Sequence, residues 1–271
     1  LTDAVLEYHA DADVDVILDA YLYSVKAHRG QSRKSGEAYI SHPMRVAFNL
    51  TLLKMDEQTV AAGLLHDTIE DTLATPEEIQ VLFGDEIYQL VDGVTKISKM
   101  EFSSREESQA ENYRKMILAM ARDIRVVLIK LADRAHNLKT LGSLSEERQR
   151  RIARETLDIY APLANRLGIG WLRAELENGA FRYLHPEEYK AIQEKVAKGQ
   201  EQQDNYVENV CDIITRELKE AEVAGTVAGR SKHYYSIYKK MVSQNIAFED
   251  VYDLIGVRIL TESVKDCYAV L

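Results

Sequence analysis

Residues 61–72, AAGLLHDTIEDT, decide how this sequence is interpreted, because an apolar helical run ends abruptly in polar side chains. Apolar residues recur there at three- and four-residue spacing, which predicts a helix. On that helix His66 would stack with Glu70, and Asp67 with Asp71, since residues four apart share a face. Burying imidazoles and carboxylates costs several kcal/mol unless a partner satisfies them. A bound cation would be such a partner.

Two other stretches change from apolar to polar in the same way: RGQSRKSGEAYISHP at 29–43 and VLIKLADRAHNLKTL at 127–141. In the first, His42 precedes a proline suited to the first turn of a helix. In the second, Asp133 follows a hydrophobic run. Taken singly, such a histidine is usually a surface or capping residue, and an aspartate followed by arginine is usually an ion pair. Their combination with the His-Asp pair is what predicts a site.

The predicted metal ligands come from three separate helices: His42, His66, Asp67 and Asp133. Two imidazoles and two carboxylates suit Mn, Fe, Co or Zn better than Ca or Mg, and the sequence does not choose among those four. Such a metal acts as a Lewis acid in phosphate hydrolysis and activates water. Glu70 and Asp71, one turn further on, are the predicted general acid/base residues. Their alternative is an exposed acidic helix end.

These motifs resemble the hydrolase domain of the Rel/Spo family of bifunctional (p)ppGpp synthetase/hydrolases. ETLDIYAPLANRLGI at 155–169 resembles the connecting helices of that family. GRSKHYYSIYKKM at 229–241 and DVYDLIGVRIL at 250–260 resemble the opening of its synthetase domain, with a tyrosine-rich variant at 233–235. The likeness therefore covers nearly the whole chain.

The resemblance implies a bacterial stringent-response hydrolase that cleaves the 3′-diphosphate of (p)ppGpp to GDP or GTP and pyrophosphate, with Mn²⁺ as the usual metal. Residues 33–36 form a basic turn that can place a guanidinium on a base or a phosphate, although an ordinary solvated loop is the alternative. Asn137 and Thr140 follow Asp133 on one helical face. The predicted substrate contacts are Arg33, Lys34, Ser35, Asn137 and Thr140. Nothing in the spacing separates Lys130 and Arg134 from surface charges.

A second, partial site is predicted near the end of the chain. Arg230 and Lys232 lie at the end of a predicted strand, and Ser236 and Lys240 stack one turn apart on the next helix, which is a good cradle for a triphosphate. Asp253 could hold the Mg²⁺ that accompanies ATP. The alternative is a basic helix face.

By resemblance, these positions are ATP- and metal-binding parts of the synthetase. The family's second acidic ligand and acceptor-nucleotide loop would follow residue 271. We therefore expect a piece of a longer protein, which does not synthesise (p)ppGpp by itself. The full-length protein would make it from ATP and GDP or GTP with Mg²⁺. Ribosomes or other partners would regulate that protein through C-terminal domains.

The expected fold class is mainly α: an HD-type all-helical phosphohydrolase domain, a helical connector and the start of an α/β nucleotidyltransferase-like domain. The expected domains are 1–170, 171–221 and 222–271. Only 4 prolines and 13 glycines interrupt the sequence. The helical periodicity predicts helices near 14–28, 43–54, 57–72, 76–98 with a break at Gly84, 106–121, 123–141, 145–168 with a bend at Pro162, and 171–184.

Composition limits the classes of function. The 271 residues carry a net charge of −10, which argues against bulk binding to nucleic acid or anionic membrane. No apolar run is long enough to cross a bilayer, and the acidic N-terminus is unlike a secretory signal, so we expect a cytoplasmic protein. The 2 cysteines are expected to be free thiols. Two alternatives stay open, a hydrolase of another nucleotide phosphate and a nucleotide sensor whose metal site has lapsed.

Overall fold

The computed structural model describes residues 1–98 and 123–270, and the predicted helix 106–121 lies outside them. The chain divides into two compact units, Leu1–Ala180 and Phe181–Leu271. The helix after Pro186, predicted as a connector, belongs to the second unit. The prediction of a mainly α fold is confirmed.

The first unit is helical throughout its described residues, apart from an isolated bridge between Ser32 and Ala38. Its α-helices are α1 (Thr2–Leu6), α2 (Val14–Ala27), α3 (Ser41–Leu52), α4 (Glu57–Leu65), α5 (Thr68–Asp71), α6 (Pro76–Ser98), α7 (Ile124–Lys139), α8 (Glu146–Glu155), α9 (Ala161–Arg166) and most of α10 (Gly170–Leu184). The residues of α10 from Phe181 onward belong to the second unit. A 3₁₀ turn covers Leu141–Ser143, and a π-helical turn covers Thr156–Tyr160.

Two helix interruptions relate to the predictions. The break expected at Gly84 is present, because this residue has φ 82°, a conformation that favours glycine. The continuous helix expected over 57–72 is wrong, since α4 ends at Leu65 and His66–Asp67 form a turn before α5. The Thr68 hydroxyl donates to the Leu65 carbonyl at 2.6 Å, and such side-chain bonds compete with regular helix.

The core of the first unit lies where α3, α4 and α7 meet. Leu50, Leu65 and Ile129 from these helices are fully buried. Gly63 lets α3 and α4 approach closely, since a Cβ there would lie 2.5 Å from Leu50 Cδ1. The three helices that carry the His and Asp motifs are therefore packed around one another.

The second unit combines a long helix with a two-stranded antiparallel sheet. It contains α11 (Pro186–Glu220), β1 (Gly225–Ser231), α12 (Tyr234–Gln244), a 3₁₀ turn (Phe248–Asp250), β2 (Ile255–Thr261) and α13 (Val264–Ala269). The register pairs Gly225 with Thr261 and Ser231 with Ile255. Its apolar cluster joins these elements through Phe181, Ile192, Ile237 and Val251. The described helices include none that is long and apolar enough to span a membrane.

Candidate active site

Four predicted ligands converge inside the first unit. His42 lies in the first turn of α3, His66 and Asp67 form the turn after α4, and Asp133 lies in the middle of α7. His42, His66 and Asp133 are almost completely buried, with relative exposures of 1%, 1% and 3%. The apolar helices that carry them thus place polar side chains where water does not reach.

The Nε2 atoms of both histidines face the two carboxylates. His42 Nε2 lies 3.3 Å from Asp67 Oδ2 and 3.2 Å from Asp133 Oδ1. His66 Nε2 lies 3.1 Å from Asp67 Oδ1 and 3.9 Å from Asp133 Oδ1. One potential ligand atom from each of His42, His66 and Asp133 falls within 4.8 Å of the others.

Hydrogen bonding assigns the protonated nitrogen of His66. Its Nδ1 lies 2.8 Å from the Gly63 carbonyl, which can only accept, so Nδ1 carries the proton. Its Nε2 therefore presents a lone pair to the cluster when the ring is neutral. This atom is buried and has no hydrogen-bond partner among the described residues. Burial lowers the pKa of His66 and so favours the neutral ring.

A similar argument assigns His42. Its Nδ1 lies 2.7 Å from His136 Nδ1, which also receives an N–H from Arg33 Nη1 at 3.1 Å. Because arginine always donates, His136 Nδ1 accepts and His42 Nδ1 is the donor. Burial, with the charges of His42 and Arg33, lowers the pKa of His136 to about 3 and keeps it neutral. The neutral form of His42 thus presents the Nε2 lone pair to the carboxylates.

The cluster consequently brings two imidazole lone pairs and two carboxylates together without enough protons to bridge them. Buried acceptors facing one another are costly unless a positive charge lies between them. A divalent metal fits this donor set, and the orphaned Nε2 of His66 is the clearest sign of it. A proton on His42 is the alternative, because its bonds to Asp133 and Asp67 outweigh burial and raise its pKa.

Asp133 is held on both oxygens. Its Oδ2 accepts from Lys130 Nζ at 2.8 Å, and its Oδ1 accepts from Asn137 Nδ2 at 2.5 Å. Burial alone would raise the pKa of Asp133, but Lys130 and His42 lower it well below its usual range. The carboxylate therefore stays ionised with one oxygen turned towards the histidines.

A cavity of about 550 Å³ opens onto this cluster. Its lining includes Asp133, Asp71, Tyr39 and the basic residues Arg33 and Lys34. The Tyr39 hydroxyl lies 2.9 Å from Asp67 Oδ2 and also donates to Asp71 Oδ2, so it links a predicted ligand with a predicted acid/base residue. The wall of the cavity thus carries both carboxylates and basic side chains.

Residues 20–170 match the family model described as HD domain. This match covers more than half of the chain and contains every residue of the cluster.

The chain belongs to the HD-domain family.

Residues 229–271 match a second model, described as the region found in RelA / SpoT proteins. The predicted resemblance to the Rel/Spo family is confirmed by these two matches standing in one chain.

Relatives resemble the HD domain together with the residues that follow it. A protein named GTP pyrophosphokinase from Myxococcus xanthus is 56% identical over 98% of this chain and 36% of its own length. A probable guanosine-3′,5′-bis(diphosphate) 3′-pyrophosphohydrolase from Synechocystis is 50% identical over 94% of this chain and 34% of its own length. Escherichia coli K12 has a bifunctional (p)ppGpp synthase/hydrolase SpoT, 45% identical over 100% of this chain and 39% of its length. The chain spans just over a third of these relatives.

Predicted substrate contacts of the HD domain lie at the open side of the cluster. Arg33 Nη2 donates to Asn137 Oδ1 at 2.6 Å, which ties the basic turn to α7. Lys34, Ser35 and Thr140 line the same cavity. Glu70 is exposed and lines a cavity of about 830 Å³, which Asp71 also borders. Its assignment as an acid/base residue stays a prediction.

Sequence reasoning missed two residues of the HD domain and left two others undecided. Tyr39 and His136 were not predicted, although they stand three positions before His42 and three after Asp133, a spacing that could have signalled both. Lys130 contacts Asp133 directly. Arg134 instead pairs with Glu155 at 2.7 Å.

The predicted triphosphate site in the second unit brings three of its five residues into contact. Asp253 Oδ2 and Oδ1 each lie 2.6 Å from a lysine nitrogen, that of Lys232 and that of Lys240 respectively. The two lysines lower the pKa of Asp253 to about 2. Ser236 lies one turn before Lys240 on α12 and bonds His233, while Arg230 is exposed on β1.

Proposed function

We propose that this chain hydrolyses the 3′-diphosphate of (p)ppGpp to GDP or GTP and pyrophosphate, with Mn²⁺ as its metal. The observation that carries the proposal is the buried meeting of two histidine lone pairs with two carboxylates at one end of a cavity. The names of the Synechocystis and Escherichia coli relatives supply the substrate. His42, His66, Asp67 and Asp133 would hold the metal.

A divalent metal bound there supplies Lewis-acid stabilisation of the phosphoryl group and lowers the pKa of water. The side chains of the protein orient the metal ligands and transfer the proton. Lys130 fixes the outer oxygen of Asp133, so that the inner oxygen keeps its direction. Asp71 lies at the cavity wall with its carboxylate held by Tyr39, in a position to exchange a proton with the attacking water or the leaving oxygen.

Nucleotide binding is assigned to the basic side of the cavity. A volume of about 550 Å³ falls within the range of small-molecule pockets. Arg33, Lys34 and Arg148 line it and offset the charge of phosphate groups. Asn137 and Thr140 present amide and hydroxyl groups to a ribose or phosphate. The side chains are thus arranged with phosphate-binding cations beside a metal-binding cluster.

The test is release of pyrophosphate from ppGpp by the purified chain, with Mn²⁺ and with EDTA. We expect Mn²⁺-dependent release that is lost in His66→Ala. Lys96→Ala is the matched control, because Lys96 is an exposed helix residue paired only with Asp92 in the described contacts. If the wild type binds ppGpp but releases no pyrophosphate, this result would instead support the sensor alternative.

Substrate comparison separates the remaining alternative. GDP and guanosine 3′-monophosphate 5′-diphosphate lack the 3′-diphosphate and should not release pyrophosphate. Comparable turnover of nucleotides with another base or another ester would support a broader phosphohydrolase. Reconstitution with Mn²⁺, Fe²⁺, Co²⁺ or Zn²⁺ in parallel tests the choice of metal.

The second unit leads to a proposal about the longer protein. Its RelA/SpoT region and the basic residues around Asp253 suit ATP with Mg²⁺, so the longer protein would also synthesise (p)ppGpp from ATP and GDP or GTP. Regulation by ribosomes or other partners would act through further domains. Incubation of a full-length relative with ATP, GDP and Mg²⁺ tests the synthetase part. We also propose a cytoplasmic location, because the proposed substrates are cytoplasmic nucleotides, and cell fractionation would test it.

A further inference from the structure

The loop that carries the basic turn is closed at its base by backbone bonds. Tyr39 N donates to Gln31 O at 3.1 Å, and Arg33 N donates to Glu37 O at 2.9 Å. The isolated bridge between Ser32 and Ala38 lies between them. Gln31 and Tyr39 are therefore the two ends of one short loop whose tip lines the cavity.

Both ends of this loop hold Asp71. Gln31 Nε2 donates to the Asp71 carbonyl oxygen at 2.8 Å, while the Tyr39 hydroxyl donates to the Asp71 carboxylate. The loop thus contacts the backbone and the side chain of the same residue. Among the described hydrogen bonds, Asp71 is the only predicted site residue that this loop contacts at both its backbone and its side chain.

The Tyr39 ring is itself fixed in place. It stacks on His28 with ring centroids 4.3 Å apart and an interplanar angle of 13°. His28 Nδ1 in turn lies 2.8 Å from Gln31 Oε1. Since the ring has little freedom, its hydroxyl can define a direction for the carboxylate that it contacts.

Asp71 needs such support because of its location. It is exposed and is the last residue of α5, a helix of 4 residues. A side chain at such an end has several rotamers available, whereas proton transfer requires a carboxylate within hydrogen-bond reach of the reacting oxygen. A misplacement of about 1 Å can cost on the order of 100-fold in rate.

We propose that Tyr39 is a positioning residue that aims the Asp71 carboxylate at the reacting phosphate, a role that rests on the proposed hydrolase function. Tyr39 also contacts Asp67, a predicted metal ligand, and closes the loop that carries Arg33. Removing the hydroxyl breaks the contacts with Asp71 and Asp67 and leaves the backbone bond that closes the loop. Loss of each hydroxyl contact has its own kinetic result, so the roles can be separated.

The experiment compares Tyr39→Phe with wild type by kcat and KM for ppGpp at saturating Mn²⁺, and by the Kd for Mn²⁺ from calorimetry. If the Asp71 carboxylate loses its orientation, kcat should fall by about 10- to 100-fold, with KM and the Mn²⁺ Kd little changed. A raised Mn²⁺ Kd would overturn the proposal in favour of a role through Asp67. A raised KM with unchanged kcat would overturn it in favour of loop structure alone.

Two further variants keep the result interpretable. Tyr8→Phe is the matched control, because it removes a phenol that donates to the Met55 carbonyl at 2.6 Å, and it should leave kcat unchanged. Gln31→Met removes the bond to the Asp71 backbone together with the contact to His28 Nδ1, keeps the Tyr39 hydroxyl, and should lower kcat less than Tyr39→Phe does. Full activity in both site variants overturns the inference, whereas an inactive wild type overturns the hydrolase proposal itself.

Discussion

Asp133 in the first unit and Asp253 in the second are both aspartates with cationic neighbours, yet their surroundings differ in one decisive respect. The Asp133 side chain is 5% exposed and that of Asp253 is 53% exposed. Asp253 has a lysine on each oxygen, whereas Asp133 has one lysine and shares its other oxygen with Asn137 and two imidazoles. Because Asp133 is buried among excess hydrogen-bond acceptors, its surroundings suit a cation. Because Asp253 is exposed to solvent and paired with two lysines, its surroundings form an ion-pair cluster.

The largest expected effect comes from exchanging Asp133 for its neutral isostere. Asp133→Asn should abolish Mn²⁺-dependent pyrophosphate release. It should also lower the free energy of unfolding by about 3 kcal/mol, because the ion pair between the buried Asp133 carboxylate and Lys130 would be lost. Fluorescence of Trp171, the single tryptophan and a residue of the first unit, reports the urea transition.

The corresponding change in the second unit provides the contrast. Asp253→Asn should leave both pyrophosphate release and the Trp171 transition unchanged, because solvent already screens that carboxylate. Equal loss of hydrolysis in both variants would remove the distinction between a buried cation site and an exposed ion pair.

A smaller effect is expected from Lys130→Met, which keeps the volume of the side chain but removes its charge. Asp133 would lose the contact that holds its outer oxygen, and loss of such a support lowers metal affinity by about 10- to 100-fold. Calorimetric titration with Mn²⁺ measures this directly. Lys96→Met is the matched control on an exposed helix face, and an equal affinity for all three proteins would show that Lys130 does not support the site.

The affinity for Mn²⁺ should depend moderately on pH and should change in one direction only, falling as the pH falls. Hydrogen bonds to Asp133 and Asp67 outweigh burial and raise the pKa of His42, so its proton competes with the metal at and below neutral pH. The pKa values of His66 and His136 are lowered, so these rings are already neutral in that range. Below the pKa of His42, affinity should fall by about tenfold per pH unit.

Calorimetry in two buffers of different ionisation enthalpy checks this, by counting the protons that binding releases. The number of protons released should approach one below the raised pKa of His42 and should decrease at higher pH. Affinity that rises as pH falls would contradict the assignment of His42 as a ligand.

The smallest effect is expected in the second unit. Lys240→Ala removes one of two lysines from Asp253, so the pKa of Asp253 should rise from about 2 towards its ordinary range. Carboxyl NMR titration measures this shift, and pyrophosphate release should stay at the wild-type rate. A change in hydrolysis would mean that this exposed cluster acts on the first unit.

The sequence predicted most of the helices because their apolar periodicity reflects burial, and it predicted the break at Gly84 because glycine alone suits that backbone. It did not predict the turn at His66–Asp67, since the apolar pattern continues to Ile69, whereas the Thr68 hydroxyl bonds the Leu65 carbonyl across this turn. Propensity and periodicity describe whole turns of helix, whereas a single side-chain bond to a carbonyl oxygen is a local event.

The four predicted ligands were recognisable because polar residues ended apolar runs in three places. The spacing of Tyr39 and His136 could place them near these ligands but could not define their roles. Those roles depend on contacts that are distant in sequence, between Tyr39 and Asp71 and between His136 and His42. Lys130 shows the same limit, since its contact with the buried Asp133 and not its spacing distinguishes it from a surface lysine. The predicted metal ligands can be recognised from the local sequence pattern. The residues that support them can be recognised only once the packing of the helices is known.

The π-helical turn at Thr156–Tyr160 has a consequence for how this part of the chain can change. A π turn accommodates one residue more than an α turn. It sets the rotation of Leu163 and Ala164, which are buried, and it ends at Tyr160, whose ring lies 4.2 Å below the Arg134 guanidinium. Removing one residue there would turn all later side chains by about 100°. A change in the length of this segment would therefore displace every buried side chain that follows it in the helix, such as Leu163 and Ala164.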